Sequence, residues 1–354
     1  MLLRQDIRFC TSRDGTRIAV ASIGSGVPLV RAAHWLSHVE YDLESPVWRP
    51  WVAELSKGHR YVRYDQRGCG LSDRAVDDLS LDAWVSDLEA VVDTLKLKRF
   101  ALFGMSQGAC VAIAYAVRHP ERVSKLVFAG AYARGALQRA KNETQRLEAE
   151  TLVNLIRLGW GRPDHLAFRQ VFPYRFIPRG TPEQLKWWGD LEQITASADV
   201  AARTLSAFQR LDVSDLARRV DVPTLVLHAR GDAAVPFEEG RWLASLIRDA
   251  RFVPLDSDNH VLLQTEPAWP VFLSEVRAFL QPSAADEVAA VANATALTRA
   301  ERAVLQLLAE GLDNRTIAQR LGKSEKTVRN QVSTVLEKLG VRTRAEAIVR
   351  ARRG

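Results

Sequence analysis

Three side chains in this sequence have the types that acyl-transfer chemistry requires, and they come in a usable order: Ser106, Asp232 and His260. Ser106 is the middle residue of Gly104-Met105-Ser106-Gln107-Gly108, a G-x-S-x-G between a short apolar run, Phe100 to Phe103, and an Ala-rich helical stretch from about Gln107 to Val117. At such a strand-to-helix turn the glycines leave room for a sharp bend, the serine takes a strained backbone conformation, and its Oγ is exposed at the helix start. A serine hydroxyl becomes an effective nucleophile when a base takes its proton, and the base works best when a carboxylate orients it. Asp232 follows the apolar run Pro223 to His228, and His260 follows Arg251 to Leu255. Each therefore falls in a loop at the carboxyl end of its own strand, where an open α/β sheet places its site.

The elements that must hold these residues are legible on either side. Short strand-like runs at Ile7 to Thr11 and Arg17 to Ile23 flank the turn Asp14-Gly15, and Leu29-Val30 leads into a loop containing His34 and Trp35. Val62 to Asp65 reads as another strand, and Leu81 to Leu95 has the period of an amphipathic helix. Strands alternating with helices predict a doubly wound, mostly parallel sheet. From about Ala133 to Asp215 the alternation stops and the pattern is helical, predicting an insertion above the sheet. Its large residues, among them Leu152, Trp160, Phe172, Phe176, Trp187, Trp188 and Phe208, are expected chiefly to form its own core and its contact with the sheet. The lower face of that lid would wall any pocket over Ser106 with apolar surface. Pro270 to Leu280 reads as a closing helix, and residues 281–296, small and Ala-rich, as a linker.

Charge divides the chain more sharply than composition does. From Leu297 onward there are 13 Lys and Arg against 6 Asp and Glu, which leaves 36 of each sign in the first 296 residues. The whole net charge of +7 thus belongs to the last stretch, and a small basic part attached to a neutral large one predicts that only the former meets a polyanion. No apolar run approaches a membrane span and the first residues do not form a signal peptide, so a cytoplasmic protein with no membrane partner is expected. Cys10, Cys69 and Cys110 are odd in number and lack metal-ligand spacing, predicting reduced thiols, no metal and no cofactor.

Residues 1 to about 280 resemble the α/β-hydrolase superfamily. The similarity is carried by YDQRGCGLSDR at Tyr64 to Arg74, GMSQG, the HPERVSKLVFAG that follows it, HARGDAAVP around Asp232 and DNHVLLQTEP around His260. It implies Ser106 as nucleophile, His260 as general base and then acid, and Asp232 as the group holding the imidazolium. The resemblance also implies an oxyanion hole made by the backbone N–H groups of Gln107 and Trp35. Trp35 stands beside His34 where the family usually has glycine, and Cys69 replaces a usual histidine. Both changes are expected to narrow or reshape the hole.

The basic stretch reads as a second, all-α domain of four helices, residues 297–354. Thr298 and Glu301 have capping-box spacing, Gly311 ends the first helix, and Asp313 or Asn314 opens a short second one. After Gly322, Ser324 caps a longer helix, Glu325 to Leu339. Val328, Val332 and Val335 lie on one face of it; Lys326, Arg329, Asn330 and Ser333 lie on the other. That is a helix-turn-helix with basic and amide groups facing outward, as major-groove reading of double-stranded DNA requires. The segment resembles the LuxR-type helix-turn-helix of bacterial regulators through LTRAE, GLDNRTIA, KTVRNQV and KLGVRTRAEAI. The resemblance implies DNA contacts from Asn314, Lys326, Thr327, Arg329, Asn330 and Ser333, and a homodimer on paired half-sites; Gln331 replaces a common histidine.

Together these expectations describe a one-component transcription regulator whose hydrolase-like module senses a small ester, lactone or related carbonyl compound. A competent serine hydrolase with an attached DNA-binding domain is the alternative, and a lid serving as a protein-docking surface is a third.

Overall fold

Eight strands form one sheet in the order β1-β2-β4-β3-β5-β6-β7-β8. They are β1 (Asp6–Thr11), β2 (Arg17–Ile23), β3 (Val27–Arg31), β4 (His59–Tyr64), β5 (Phe100–Met105), β6 (Val123–Ala129), β7 (Thr224–Ala229) and β8 (Arg251–Leu255). The hairpin β1–β2 and the β2–β4 pairing are antiparallel; every pairing from β4 through β3 to β8 is parallel. In this computed structural model the described residues are 3–162, 166–281, 299–339, 341 and 343–353. The chain divides into two units, Met1–Leu280 and Gln281–Gly354.

Strand β5 sits in the middle of the sheet and all six of its residues are buried. This is why Phe100 to Phe103 reads as a continuous apolar run with no alternation: a parallel strand covered on both faces has no polar side. Around the sheet lie α1 (Trp48–Leu55), α2 (Leu81–Thr94) and α3 (Gly108–Arg118). The start of α2 is fixed by Ser80, whose Oγ accepts from the Ala83 amide at 3.2 Å. Strand β4 begins three residues earlier than the expected Val62, because His59 to Tyr61 complete its pairing with β3 and β2.

Between β6 and β7 the chain leaves the sheet for six helices: α4 (Ala136–Arg139), α5 (Glu143–Gly159), α6 (Leu166–Phe176), α7 (Pro182–Thr195), α8 (Ala198–Gln209) and α9 (Ser214–Ala217). Helix α7 carries a full capping box, with Thr181 and Gln184 each bonding the other's amide. After β7 come α10 (Phe237–Leu246) and, after β8, α11 (Ala268–Leu280), two residues longer at its start than the expected Pro270.

The YDQRGCGLSDR segment is scaffold. Arg67 is buried and bonds both carboxylate oxygens of Asp87, at 2.8 and 2.7 Å. The fully buried Asp65 accepts from the Val39 and Leu71 amides, both at 2.9 Å. Burial drives the Asp65 pKa up to about 7 against the pull of these two amide bonds, which tie the loops holding Val39 and Leu71 to the end of β4.

The second unit has a core of its own, built from Val304, Leu308, Ile317, Ala318, Val328 and Val332. Its helices are α12 (Arg299–Ala309), α13 (Asn314–Leu321), α14 (Glu325–Leu339) and α15 (Arg344–Arg353). Residues 282–296 of the expected linker and Thr298 of the expected capping box lie outside the described residues.

Candidate functional site

Ser106 lies between β5 and α3 with a φ of 52°, in the left-handed region that a serine seldom adopts. The two glycines around it are sterically required. A Cβ on Gly104 would stand 2.7 Å from Ala109 Cα, and one on Gly108 would stand 3.0 Å from the Ala32 carbonyl oxygen. Backbone bonds hold the bend, Ser106 N to Ala129 O and Ala109 N to Ser106 O, both at 3.1 Å. The strain is therefore imposed by close packing of strand, helix and the β3 loop, and it leaves the hydroxyl facing a cavity.

His260 opens onto the same cavity. Its Nδ1 lies 2.7 Å from Asp232 Oδ2, so the proton sits on Nδ1 and Nε2 is left as an acceptor. The other oxygen of Asp232 accepts from the Ala234 and Val235 amides, both at 2.8 Å. Burial pushes the Asp232 carboxyl toward protonation, but His260 and His228 outweigh it and hold the group well below the usual carboxylate range. His228, at the end of β7, was not singled out in the sequence: its Nε2 is 3.0 Å from the Val235 carbonyl and 3.4 Å from Asp232 Oδ2. Its four-residue spacing from Asp232 across a tight turn is the signal that would have found it. Among the described residues no hydrogen bond joins Ser106 Oγ to His260; such pairs often tighten only with a substrate in place.

The His260 loop is tied to the insertion. The amides of His260 and Val261 both donate to the Phe176 carbonyl, at 2.9 and 3.2 Å, and the Phe176 ring lies 5.7 Å from the imidazole. Of ten large residues of the insertion, the seven named above with Ile156, Phe168 and Tyr174, five line the cavity: Leu152, Phe172, Phe176, Trp188 and Phe208. Trp187 packs instead on Tyr41, with centroids 5.1 Å apart. The division between internal core and pocket wall is thus more even than the sequence suggests.

Trp35 and Gln107 also line the cavity. Neither backbone amide donates to another group among the described residues, as a pair awaiting an oxyanion requires. The Trp35 ring stacks on Trp160 at 5.3 Å and meets Phe172 edge-on at 5.5 Å, so the large residue in place of glycine serves as a wall shared with the insertion. Its neighbour His34 is kept neutral by burial and by Arg31. Cys69 is fully buried and does not itself line the cavity; it lies against the backbone of Leu36, the cavity residue that follows Trp35. Burial raises its thiol to about 12 and that of Cys10 to about 11, so neither is a reactive thiolate. Two cavity residues the sequence did not mark are Arg139 of α4 and Arg175 of α6; insertion helices have no periodicity that ties them to the sheet's site.

In the second unit α13 begins at Asp313, whose Oδ1 accepts from the Thr316 amide at 2.8 Å, and ends at Gly322 with a φ of 62°. Ser324 Oγ caps α14 by accepting from the Thr327 amide at 3.1 Å. Val328, Val332 and Val335 are buried, and Lys326, Thr327, Arg329, Asn330 and Ser333 are exposed on the outer side. Arg329 reaches Glu325 at 3.2 Å in an exposed pair, a weak tether that DNA can displace. Asn314 is placed differently: it is half-buried, and its Oδ1 accepts from Arg344 at 3.0 Å, joining α13 to α15. Gln331 is engaged by Lys323 at 2.9 Å. Lys338 binds the Glu301 carboxylate at 2.8 Å, locking α14 to α12.

A doubly wound sheet with a strained serine at its central strand-to-helix turn, joined to a helix-turn-helix, defines the class, and comparison with known proteins gives the families. The family model described as alpha/beta hydrolase fold matches residues 40–267, and that of the luxR family of bacterial regulatory proteins matches residues 295–351. The chain belongs to the α/β-hydrolase family and carries a LuxR-type DNA-binding domain. It is 28% identical over 257 residues to the AB hydrolase superfamily protein YisY of Bacillus subtilis, covering 71% of this chain and 91% of that one. A non-heme haloperoxidase of Rhodococcus erythropolis is 29% identical over 255 residues, covering 69% and 89%. Among solved structures, an esterase of Exiguobacterium antarcticum superposes with a TM-score of 0.64 at 26% identity, covering 77% of this chain and 98% of that one. Among the described residues, no helix is long and apolar enough to cross a membrane, and no cluster of His, Cys, Asp and Glu is arranged to hold a metal.

Proposed function

We propose that this protein is a ligand-responsive transcription regulator. A small ester, lactone or related carbonyl compound enters the Ser106 cavity, and its presence changes how the α14 helix engages DNA. One observation carries the reading: a serine held at a φ of 52° shares a cavity with a histidine–carboxylate pair, in a chain whose other unit is a LuxR-type DNA-binding domain. The outward groups Lys326, Thr327, Arg329, Asn330 and Ser333 read the major groove, and two copies bind paired half-sites.

A catalytic second reading is favoured by the 2.7 Å bond between Asp232 and His260 and by the unengaged Gln107 and Trp35 amides. In it His260 Nε2 takes the Ser106 proton as Oγ attacks the carbonyl carbon. The two amides hold the oxyanion, and His260 returns the proton to the leaving alcohol as the acyl-serine forms. Water, activated by the same nitrogen, then releases the acid and restores the hydroxyl. Asp232 keeps the proton on Nδ1 throughout. Resemblance to an esterase at 26% identity supports this chemistry.

The test is transcription from the protein's own promoter region, wild type against Ser106→Ala, across esters and lactones, with hydrolysis followed in parallel. A response that persists or lengthens in Ser106→Ala makes the cavity a receptor whose serine clears the signal. Joint loss of response and hydrolysis with ligand affinity retained makes acylation part of the switch. No response to any compound in either protein defeats the regulatory reading.

A further inference from the structure

Among the described residues, the buried arginines and several partly buried ones are matched by carboxylates. Arg31 and Arg63 meet Asp42 at 3.4 and 2.8 Å, Arg67 meets Asp87 at 2.7 Å, and Arg134 grips Glu239 through two bonds of 3.1 Å. Arg139 and Arg175 have no carboxylate within ion-pair distance among the described residues, and both face the cavity that holds Ser106. Arg139 gives one bond to the Arg134 carbonyl at 3.3 Å and lies over the Tyr132 ring, 5.6 Å from its centroid. Arg175 gives one bond to the Ala234 carbonyl at 3.0 Å. Each guanidinium has five N–H donors, so most of this donor capacity is unspent.

Nearby acids are not available to fill the gap. Asp232 is taken by His260 and by two amides, Glu239 by Arg134, and Glu238 by Arg241 at 2.7 Å. Glu148 is exposed in a neighbouring cleft that Arg139 and Arg175 also line; it favours the Arg175 charge but forms no ion pair with it, and Lys141 shares the cleft. Burial lowers the pKa of both arginines; Arg139 further disfavours the charge on Arg175 and Arg134 that on Arg139, while the Asp232 carboxylate favours both from beyond ion-pair distance. Arg175 is also close to the reacting centre. It bonds the carbonyl of Ala234, whose amide holds Asp232, and it precedes Phe176, whose carbonyl holds the His260 amide.

We propose that the ligand of this cavity carries a carboxylate, held by Arg139 and Arg175, in addition to the acyl group it presents to Ser106, with its apolar body against Trp188 and Phe172. The inference rests on the reading of Ser106 as the acyl-facing group and narrows the ligand class to acidic esters and lactones. Paired guanidinium forks suit a planar carboxylate, and a partly dehydrated site makes such bonds strong.

The test uses the full chain with Ser106→Ala, so that no turnover interferes, and titrates monoethyl adipate against diethyl adipate by calorimetry. The two compounds differ in one carboxylate. The carboxylate ester should bind at least about tenfold tighter, and Arg139→Gln with Arg175→Gln should bring the ratio close to one. The double lysine variant, which keeps both charges, should retain a preference for the acid, and this separates lost charge from lost folding. Equal binding of the two esters, or a preference that survives the double glutamine variant, overturns the proposal. Should the acid be preferred while wild type neither hydrolyses it nor responds on DNA, the functional reading fails and this one stands.

Discussion

Replacing Ser106 by glycine should make the protein more stable than replacing it by alanine, although both remove the hydroxyl. The left-handed conformation costs a residue with a Cβ about 1–2 kcal/mol, and alanine at a φ of 52° keeps that cost. Glycine relieves it but gives back about 0.4–1 kcal/mol through a freer unfolded chain. Ser106 Oγ makes no hydrogen bond among the described residues and both backbone bonds at the turn survive either change, so nothing else enters the comparison. Taking the middle of each range, the net difference is about 0.8 kcal/mol, which for a unit of this size raises the melting temperature by roughly 1–3 °C. All 9 tryptophans precede residue 281, so thermal unfolding followed by tryptophan emission reports the first unit alone within the full chain. A Ser106→Gly protein that melts at or below Ser106→Ala would refute the argument that this backbone is strained and held for function.

Other consequences can be measured directly. Asp232→Asn replaces the carboxylate that holds the His260 proton on Nδ1 at 2.7 Å; where wild type hydrolyses an ester, kcat should fall by about 10⁴ with little change in ester affinity, and a loss below tenfold would remove Asp232 from that role. Glu192 is buried with Oε1 unpartnered among the described residues, and burial holds its pKa well above the usual range. Its folded-state pKa exceeds the unfolded one, so its cost to stability grows as pH rises above the unfolded value; Glu192→Gln should therefore raise the melting temperature more at pH 8 than at pH 5, and an equal gain at both would contradict the assignment. Arg329→Ala should weaken specific DNA binding by about 1–3 kcal/mol and relax the preference for one base, measured by competition among mutated half-sites; a uniform loss across sequences would make it a phosphate contact.

The parts of the fold legible in the sequence are those decided locally. The nucleophile turn needs a buried strand, two glycines and a helix within a dozen residues, and all are consecutive from Phe100 to Arg118. Strand β8 matches its expected limits, and α14 falls on Glu325–Leu339 because Ser324 and the valine spacing define it. What the sequence did not reveal depends on which surfaces meet. Arg139 and Arg175 come from helices whose placement over the sheet no local pattern encodes. Cys69 sits in a recognisable motif yet is buried behind the cavity-lining Leu36, in a segment that Asp65 and Arg67 use as scaffold. Asn314 has a residue type suited to DNA, but tertiary contact with Arg344 claims its oxygen.

The most direct test of the central claim is the affinity of the full chain, carrying Ser106→Ala, for a labelled fragment of its own promoter region, with and without saturating monoethyl adipate. Tryptophan emission from Trp35, Trp48 and Trp188, which line the cavity, shows that the ester is bound. Coupling between cavity and DNA predicts a change in affinity of at least about fivefold. An occupied cavity with unchanged DNA affinity would contradict it.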